Sequence, residues 1–328
     1  MQSPWLEARN LTTNCSVVVR AFNEERHIGR LLRGISEQTV EEVEIIVVDS
    51  GSTDNTVSIA GEYAANIVTI PPAEFTFGRS LNLGCEHANG ETIVLASAHV
   101  YPVYPDWLER LIYPLQEPKA ALAYGKQRGT VETHFSEAQH FAKLYPEHSI
   151  ADQEGAFCNN ANAAIRRDLW KMRSYDEDLS GLEDLEWAIW AKSEGYRLSY
   201  VAEAEVVHIH NETPREVYNR YRREAIALKQ LRPHEHLGFA DFAGLVISNV
   251  TSDARHALRE GAPSSAWPEI LWFRLAQFWG TYRGFGHRGP LSDELKQAFY
   301  YPRGFEIGGG NDARAVEPID YSSETMER

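Results

Sequence analysis

Cysteine is scarce in this sequence: Cys15, Cys85 and Cys158 are the only three in 328 residues, widely spaced and odd in number. They exclude a disulfide framework and a CxxC-type zinc pattern, and they fit a reducing, cytoplasmic setting. Long apolar runs are missing too. Nothing approaches the roughly 18 uncharged residues that a membrane-spanning helix needs. The first nine residues, Met1 to Arg9, lack a basic segment followed by an apolar core, so no signal peptide is expected. Positive charge is in deficit, with 32 basic against 47 acidic residues and a net charge of −15. Most of such a surface repels nucleic acid, which is excluded as a partner. No repeat is present, and no GxGxxG follows the first apolar run, so a standard dinucleotide fingerprint is absent.

What remains is an ordinary globular composition, 43% apolar and 24% charged, in a chain long enough to bury a substantial core. The most informative stretch is Glu44-Ile45-Ile46-Val47-Val48-Asp49-Ser50-Gly51-Ser52-Thr53-Asp54. A β-branched run reads as a buried strand. It ends in a carboxylate and a small-residue turn, and 55–65 reads as a helix. Ligands of open α/β sheets sit beyond the carboxyl ends of strands. Asp49 therefore stands where a polar ligand would be read; equally, it caps a routine turn.

Residues 14–23 form an earlier strand, and Ile28, Leu31, Leu32 and Ile35 then recur at helical spacing. Strands at 67–70 and 91–96 follow. This βαβαβ start predicts an α/β fold with a mostly parallel sheet and right-handed crossovers. Further strands are expected at 122–125, 161–166 and 196–207, a mobile or helical connection at 134–146, and helices near 185–194, 215–232 and 266–285. The expected organisation is a lead-in over 1–13, a catalytic-type domain over 14–210, a helical extension over 211–303 and a flexible acidic tail over 304–328.

Charge is uneven along the chain: 206–303 carry 13 basic and 10 acidic residues, against 17 and 31 before them. The extension also holds Tyr218, Arg220, Tyr221, Arg222 and Arg223, then Trp267, Trp272, Phe273, Phe278, Trp279, Tyr282 and Phe285. Helical core packing accounts for these aromatics most simply. Peripheral contact with lipid headgroups is the alternative, and it would bring the protein to the inner membrane face.

Val17-Val18-Val19-Arg20-Ala21-Phe22-Asn23-Glu24-Glu25 followed by the 44–54 stretch resembles the opening of a family 2 glycosyltransferase. Gly78-Arg79-Ser80-Leu81-Asn82-Leu83-Gly84, Pro105-Asp106-Trp107-Leu108, Gly181-Leu182-Glu183-Asp184-Leu185-Glu186-Trp187 and Ala204-Glu205-Val206-Val207-His208 match in the expected order, over roughly 14–210. The resemblance implies a GT-A fold, a Rossmann-like domain that binds a nucleotide sugar. It implies that Asp49 bonds the base, that Phe22 and Glu24 line that pocket, and that Arg79 and Asn82 approach the diphosphate or ribose. Asp184 would be the catalytic base, with Glu183 or Glu186 orienting groups nearby, and Asn159, Asn160 and Asn162 would border the acceptor.

The family's metal-binding Asp-x-Asp is replaced here by Ser97-Ala98-His99. Without those carboxylates Mg²⁺ would be held poorly, whereas imidazole suits Mn²⁺ or a softer first-row divalent cation. The resemblance implies that His99 and His208 would form a two-histidine metal site, with His210 in reserve on the same strand face. The other readings are metal-independent contact of His99, beside Ser97, with the diphosphate, or an ordinary strand-end histidine. The implied function is inverting transfer of a sugar from a nucleotide-diphosphate donor to a saccharide or lipid-linked acceptor, in cell-surface polysaccharide or glycolipid synthesis. A non-catalytic sugar-nucleotide-binding protein is the alternative. A nucleotidyltransferase would need a glycine-rich phosphate loop that Arg20-Ala21-Phe22-Asn23 does not supply. The oligomeric state stays open.

Overall fold

The computed structural model describes residues 14–131, 133–210, 212–288 and 317–321. The chain opens with β1 (Cys15–Ala21), α1 (Ile28–Ser36), β2 (Glu44–Asp49), α2 (Thr56–Glu62) and β3 (Asn66–Thr69). Then come α3 (Phe77–His87), β4 (Thr92–Ser97), β5 (Val100–Pro102), α4 (Trp107–Ile112), β6 (Ala120–Arg128) and α5 (Phe135–Leu144). The domain closes with β7 (Asn162–Arg166), α6 (Arg167–Met172), α7 (Glu183–Ser193) and β8 (Arg197–His208). Three long helices follow: α8 (Pro214–Leu231), α9 (Phe239–Glu260) and α10 (Ala266–Phe285).

The strands form one sheet in the order β3-β2-β1-β4-β7-β6-β8-β5. β1 runs parallel to β2 and to β4, and β6 runs parallel to β8, while β7 and β5 are antiparallel to their neighbours. β1 lies between β2 and β4, so successive connections leave it in opposite directions and open a crevice at its carboxyl end. Because β7 is reversed, its first residues reach that same edge.

The valines of β1 show why the sheet is covered on both faces. Val17 and Val19 point into one core, with Leu31, Leu32 and Trp107 from α1 and α4. Val18 points into the other, with Leu81 from α3 and Trp187 from α7. That alternation is the period-2 geometry of a strand, and a strand buried on both sides must be apolar throughout. All four apolar residues at helical spacing in α1 are buried.

Within the extension the helices cross closely. A Cβ at Gly280 would lie 2.4 Å from the Tyr218 carbonyl oxygen, and one at Gly284 would lie 2.5 Å from that of Arg222. Only glycine lets α10 approach α8 so closely. α9 is tied in by a buried ion pair, Arg274 Nε to Asp253 Oδ2 at 2.7 Å, and Ser136 Oγ of α5 donates to the same carboxylate.

The connection expected at 134–146 takes the helical alternative, as α5, whereas α4, α6, α9 and β5 go beyond the sequence reading. Part of the expected flexible tail has a defined place: Ile319 N–H donates to Val103 O at 3.1 Å and Tyr321 Oη to Pro102 O at 2.8 Å. That strip follows β5, whose outer edge offers unpaired backbone groups. The lead-in 1–13 lies outside the described residues, as do 289–316 and 322–328. No helix among the described residues is long and apolar enough to cross a membrane.

Candidate active site at the carboxyl edge of the sheet

At the ends of β1 and β2 two polar turns lock into each other. Asp49 accepts from the backbone N–H groups of Gly51, at 3.0 Å, and Ser52, at 3.1 Å. Gly51 sits at φ +92°, where a side chain would be strained. Asn23 N–H donates to Ser52 Oγ at 2.8 Å, Asn23 Oδ1 accepts from Thr53 N–H at 2.8 Å, and Glu24 N–H donates to Thr56 Oγ1 at 2.7 Å. Asp49 thus does hold its own turn, and the resulting rim is rigid. Phe22 stands half-buried in the same loop.

Glu24 is directed elsewhere. Its Oε1 accepts from His99 Nδ1 at 2.8 Å. His99 lies in the β4–β5 turn, and its carbonyl accepts from Ile209 N–H at 3.0 Å, which pins that turn to the end of β8. The β5–β8 register places Val100 opposite His208. His99, His208 and His210 therefore converge: one ring nitrogen from each lies within 4.8 Å of the others. The rings of His99 and His208 stack at 5.1 Å, and those of His208 and His210 are 4.0 Å apart.

Each of the three rings is held from behind. His208 Nδ1 donates to Gln127 Oε1 at 2.6 Å, and His210 Nδ1 lies 2.9 Å from Glu137 Oε1. His208 Nδ1–H is committed in this way, so its Nε2 carries the lone pair, whereas His210 Nδ1 also lies 3.2 Å from Arg220 Nη1. His208 Nε2 is buried and has no hydrogen-bond partner. Burial, then the neighbouring His210 and His99, pushes the His208 pKa well below its ordinary value, so the ring is neutral at physiological pH. An oriented, neutral imidazole with an unpartnered buried nitrogen is what a metal ligand requires. The cluster is a three-histidine set that fits a divalent cation.

A second group, Glu137, His210 and Glu212, does not fit one. Arg220 Nη2 lies 2.6 Å from both Glu137 Oε1 and Glu212 Oε2, so a guanidinium already occupies the space between the two carboxylates.

Asp184 and Glu183 begin α7. Leu182, just before them, takes a left-handed conformation at φ +61° that turns the chain into the helix. Asp184 Oδ2 accepts from Asn160 N–H at 3.3 Å and Oδ1 from Leu185 N–H at 2.7 Å. Its carboxyl pKa is pushed up to about 7, first by withdrawal from water and then by the adjacent Glu183. Glu183 faces Arg20 of β1, Oε1 to Nη1 at 3.6 Å, which places α7 at the crevice edge. Glu186 turns away and pairs with Arg173.

The remaining expected residues divide. Ser97 is buried at the end of β4, paired in register with Arg20. Arg79 is exposed and paired with Glu74 at 2.7 Å. Asn82 departs from its expected role. It is 5% exposed, its amide donates to Tyr175 O and Glu177 Oε1, and its carbonyl accepts from Trp170 Nε1 and Tyr175 N–H. With both donors and both lone pairs used inside the protein, no capacity is left for a diphosphate or ribose. Sequence reasoning missed Gln127 and Arg20, and it placed Asn160 at the acceptor rather than against Asp184. Only Arg20 carried a signal, as a lone cation near the end of an apolar strand; its Nε and Nη1 are buried without a hydrogen bond.

Residues 16–172 match the family model described as Glycosyl transferase family 2. An O-antigen chain rhamnosyltransferase of Salmonella typhimurium is 28% identical over 219 residues, 63% of this chain and 69% of that protein. A 4,4'-diaponeurosporenoate glycosyltransferase of Staphylococcus aureus is 34% identical over 129 residues, and the chain spans only 34% of its length. Among solved structures, a mannosyltransferase of Pyrobaculum calidifontis in complex with GDP-Man and Mn²⁺ superimposes with a TM-score of 0.57 at 20% identity, covering 85% of this chain and 90% of that one. Glucosyl-3-phosphoglycerate synthase of Mycobacterium tuberculosis gives 0.51 at 23% identity, covering 67% and 80%. At such identities the structures show the fold alone. Over residues 16–172 the chain matches the glycosyl transferase family 2 model, and it is a glycosyltransferase of GT-A fold.

Proposed function

We propose that the chain transfers a sugar with inversion from a nucleoside-diphosphate donor to a hydroxyl acceptor, with Asp184 as the base. The observation that carries this reading is a carboxylate with its pKa at about 7 standing at the sheet edge that also bears a three-histidine cluster. A base with that pKa is partly ionised near neutrality and still strong enough to take a hydroxyl proton. The acceptor oxygen forms the new bond to the anomeric carbon, its proton passes to Asp184, and the bond to the diphosphate breaks with its electron pair leaving on the diphosphate oxygen. Glu183 raises the basicity of Asp184 and holds Arg20 nearby.

His99, His208 and His210 would hold a divalent cation, which when bound supplies positive charge for the leaving diphosphate. Imidazole donors favour Mn²⁺ and other first-row transition ions over Mg²⁺. Asp49 and Phe22 line the base pocket on this reading, Ser97 and Arg20 the diphosphate side, and Glu24 orients His99. The named activity of the Salmonella relatives supports a deoxyhexose donor and a cell-surface glycan product. The titration that tests the site uses Mn²⁺ and then a panel of UDP, GDP and dTDP sugars. Saturable Mn²⁺ binding is expected, lost in His208→Ala and weakened roughly 10–100-fold in Gln127→Leu. Transfer that survives exhaustive chelation would assign His99 to direct diphosphate contact instead, and a panel without any binder would remove the donor assignment.

A further inference from the structure

Away from the sheet edge, the extension holds a surface cavity of about 650 Å³ between α8, α10 and the chain entering α9. Its described lining includes Arg222, Arg283, Arg288, His236 and His287, and no carboxylate. In a protein of net charge −15 this is a concentrated cationic pocket. Two of its polar groups are unsatisfied: Arg222 Nε and His287 Nε2 are buried without a hydrogen-bond partner. A buried N–H left unpaired is unfavourable; the groups that an incoming anion meets are the exposed guanidiniums of Arg283 and Arg288.

One wall is aromatic. Trp279 and Tyr282 stand 5.4 Å apart, Phe242 joins them at 5.5 and 5.9 Å, and Phe239 lies beyond, 63% exposed. The close crossing at Gly280 and Gly284 sets Arg222 against this wall, and Lys229 Nζ fixes the end of α10 by donating to Phe285 O at 2.6 Å. The planar, multi-donor guanidinium groups match phosphate oxygens. The aromatic shelf beside them takes an apolar body.

We propose that this cavity is a second ligand site, distinct from the donor site, that binds a phosphate or diphosphate group carrying an apolar portion. Such a group is offered by a soluble phosphorylated compound or by the headgroup of an anionic lipid.

The test uses the full chain in EDTA, with inorganic pyrophosphate and with phosphatidylglycerol vesicles as probes and phosphatidylcholine vesicles as control. The variant is Arg283→Ala/Arg288→Ala; both positions are exposed, and circular dichroism checks that it is folded. Pyrophosphate should bind the wild type saturably and the double variant at least roughly tenfold more weakly. Co-sedimentation with phosphatidylglycerol vesicles alone, lost in the variant and displaced by pyrophosphate, supports the site and assigns a lipid headgroup. Pyrophosphate binding without sedimentation supports it and assigns a soluble phosphoanion. The proposal falls if neither probe binds, or if both bind the double variant as they bind the wild type.

Discussion

Asp184 and Glu137 are two carboxylates set among protein groups, and they are driven in opposite directions. Asp184 has backbone N–H partners and an acidic neighbour; withdrawal from water and then Glu183 raise its pKa to about 7. Glu137 is 1% exposed. Burial would raise its pKa as well, but Arg220 and His210 overcome that and hold it far below the ordinary carboxylate value. Depth alone therefore does not determine what a buried acid does. An acid matched by a cation is a fixed charge that orients its neighbours, here the ring of His210. An acid matched mainly by N–H dipoles, with the nearby Arg20 turned to its neighbour Glu183, is left able to exchange a proton.

The sharpest way to break this comparison is to neutralise each member. Asp184→Asn keeps the shape of the side chain and removes the base. Transfer should fall about 10²–10⁴-fold while nucleotide-sugar binding persists. Binding without any wild-type turnover would instead describe a sugar-nucleotide-binding protein. Glu137→Gln should leave activity far less changed but lower stability by about 3 kcal/mol, read from the shift of the urea midpoint. Arg220 would then be a buried cation left with Glu212 alone. A stable Glu137→Gln variant with wild-type urea behaviour would mean that the pairing contributes little.

The two halves of the site also differ in how far the sequence discloses them. β1 and β2 were legible because a strand covered on both faces must be a continuous β-branched run, and Asp49 closes one. The stripe of α1 was legible for the matching reason at helical spacing. α9 was not: its buried residues are Asp253 and Ala257, so no broad apolar face announces it. The histidine cluster was half visible. His99 and His208 came from position within the family and His210 from the strand period, but the partners behind each ring depend on the β5–β8 register and on β6 and α5. Those contacts join residues such as His208 and Gln127, 81 positions apart, and no local pattern carries them. Asn82 was misjudged because the four hydrogen bonds it makes go to Trp170, Tyr175 and Glu177, about 90 positions downstream.

The smallest expected effect concerns stability and separates the two carboxylates most cleanly. Asp184 has a folded-state pKa raised from 3.8 to about 7. Between those values the folded protein holds a proton that the unfolded chain has released, so the contribution of this group to stability is complete below about pH 4 and declines as pH rises through about 7. At pH 8 ionised Asp184 opposes folding, and Asp184→Asn removes that opposition. The full shift would carry about 4 kcal/mol, but Asp184 is only half-buried and solvent screens part of it. The variant should therefore be more stable than wild type at pH 8 by roughly 1–2 kcal/mol, with the advantage vanishing near pH 4. Glu137 has the opposite sign: its depressed pKa stabilises the fold above the unfolded value, and that contribution is lost only as acid protonates it. Urea midpoints of the wild type and both variants at about pH 3, 4, 6 and 8 resolve the two trends, that of Glu137 at the acid end and that of Asp184 between about pH 4 and 8. Parallel pH dependence in wild type and Asp184→Asn would show that Asp184 ionises as freely in the folded protein as in the unfolded chain, which would also remove the basis for its role as the proton acceptor.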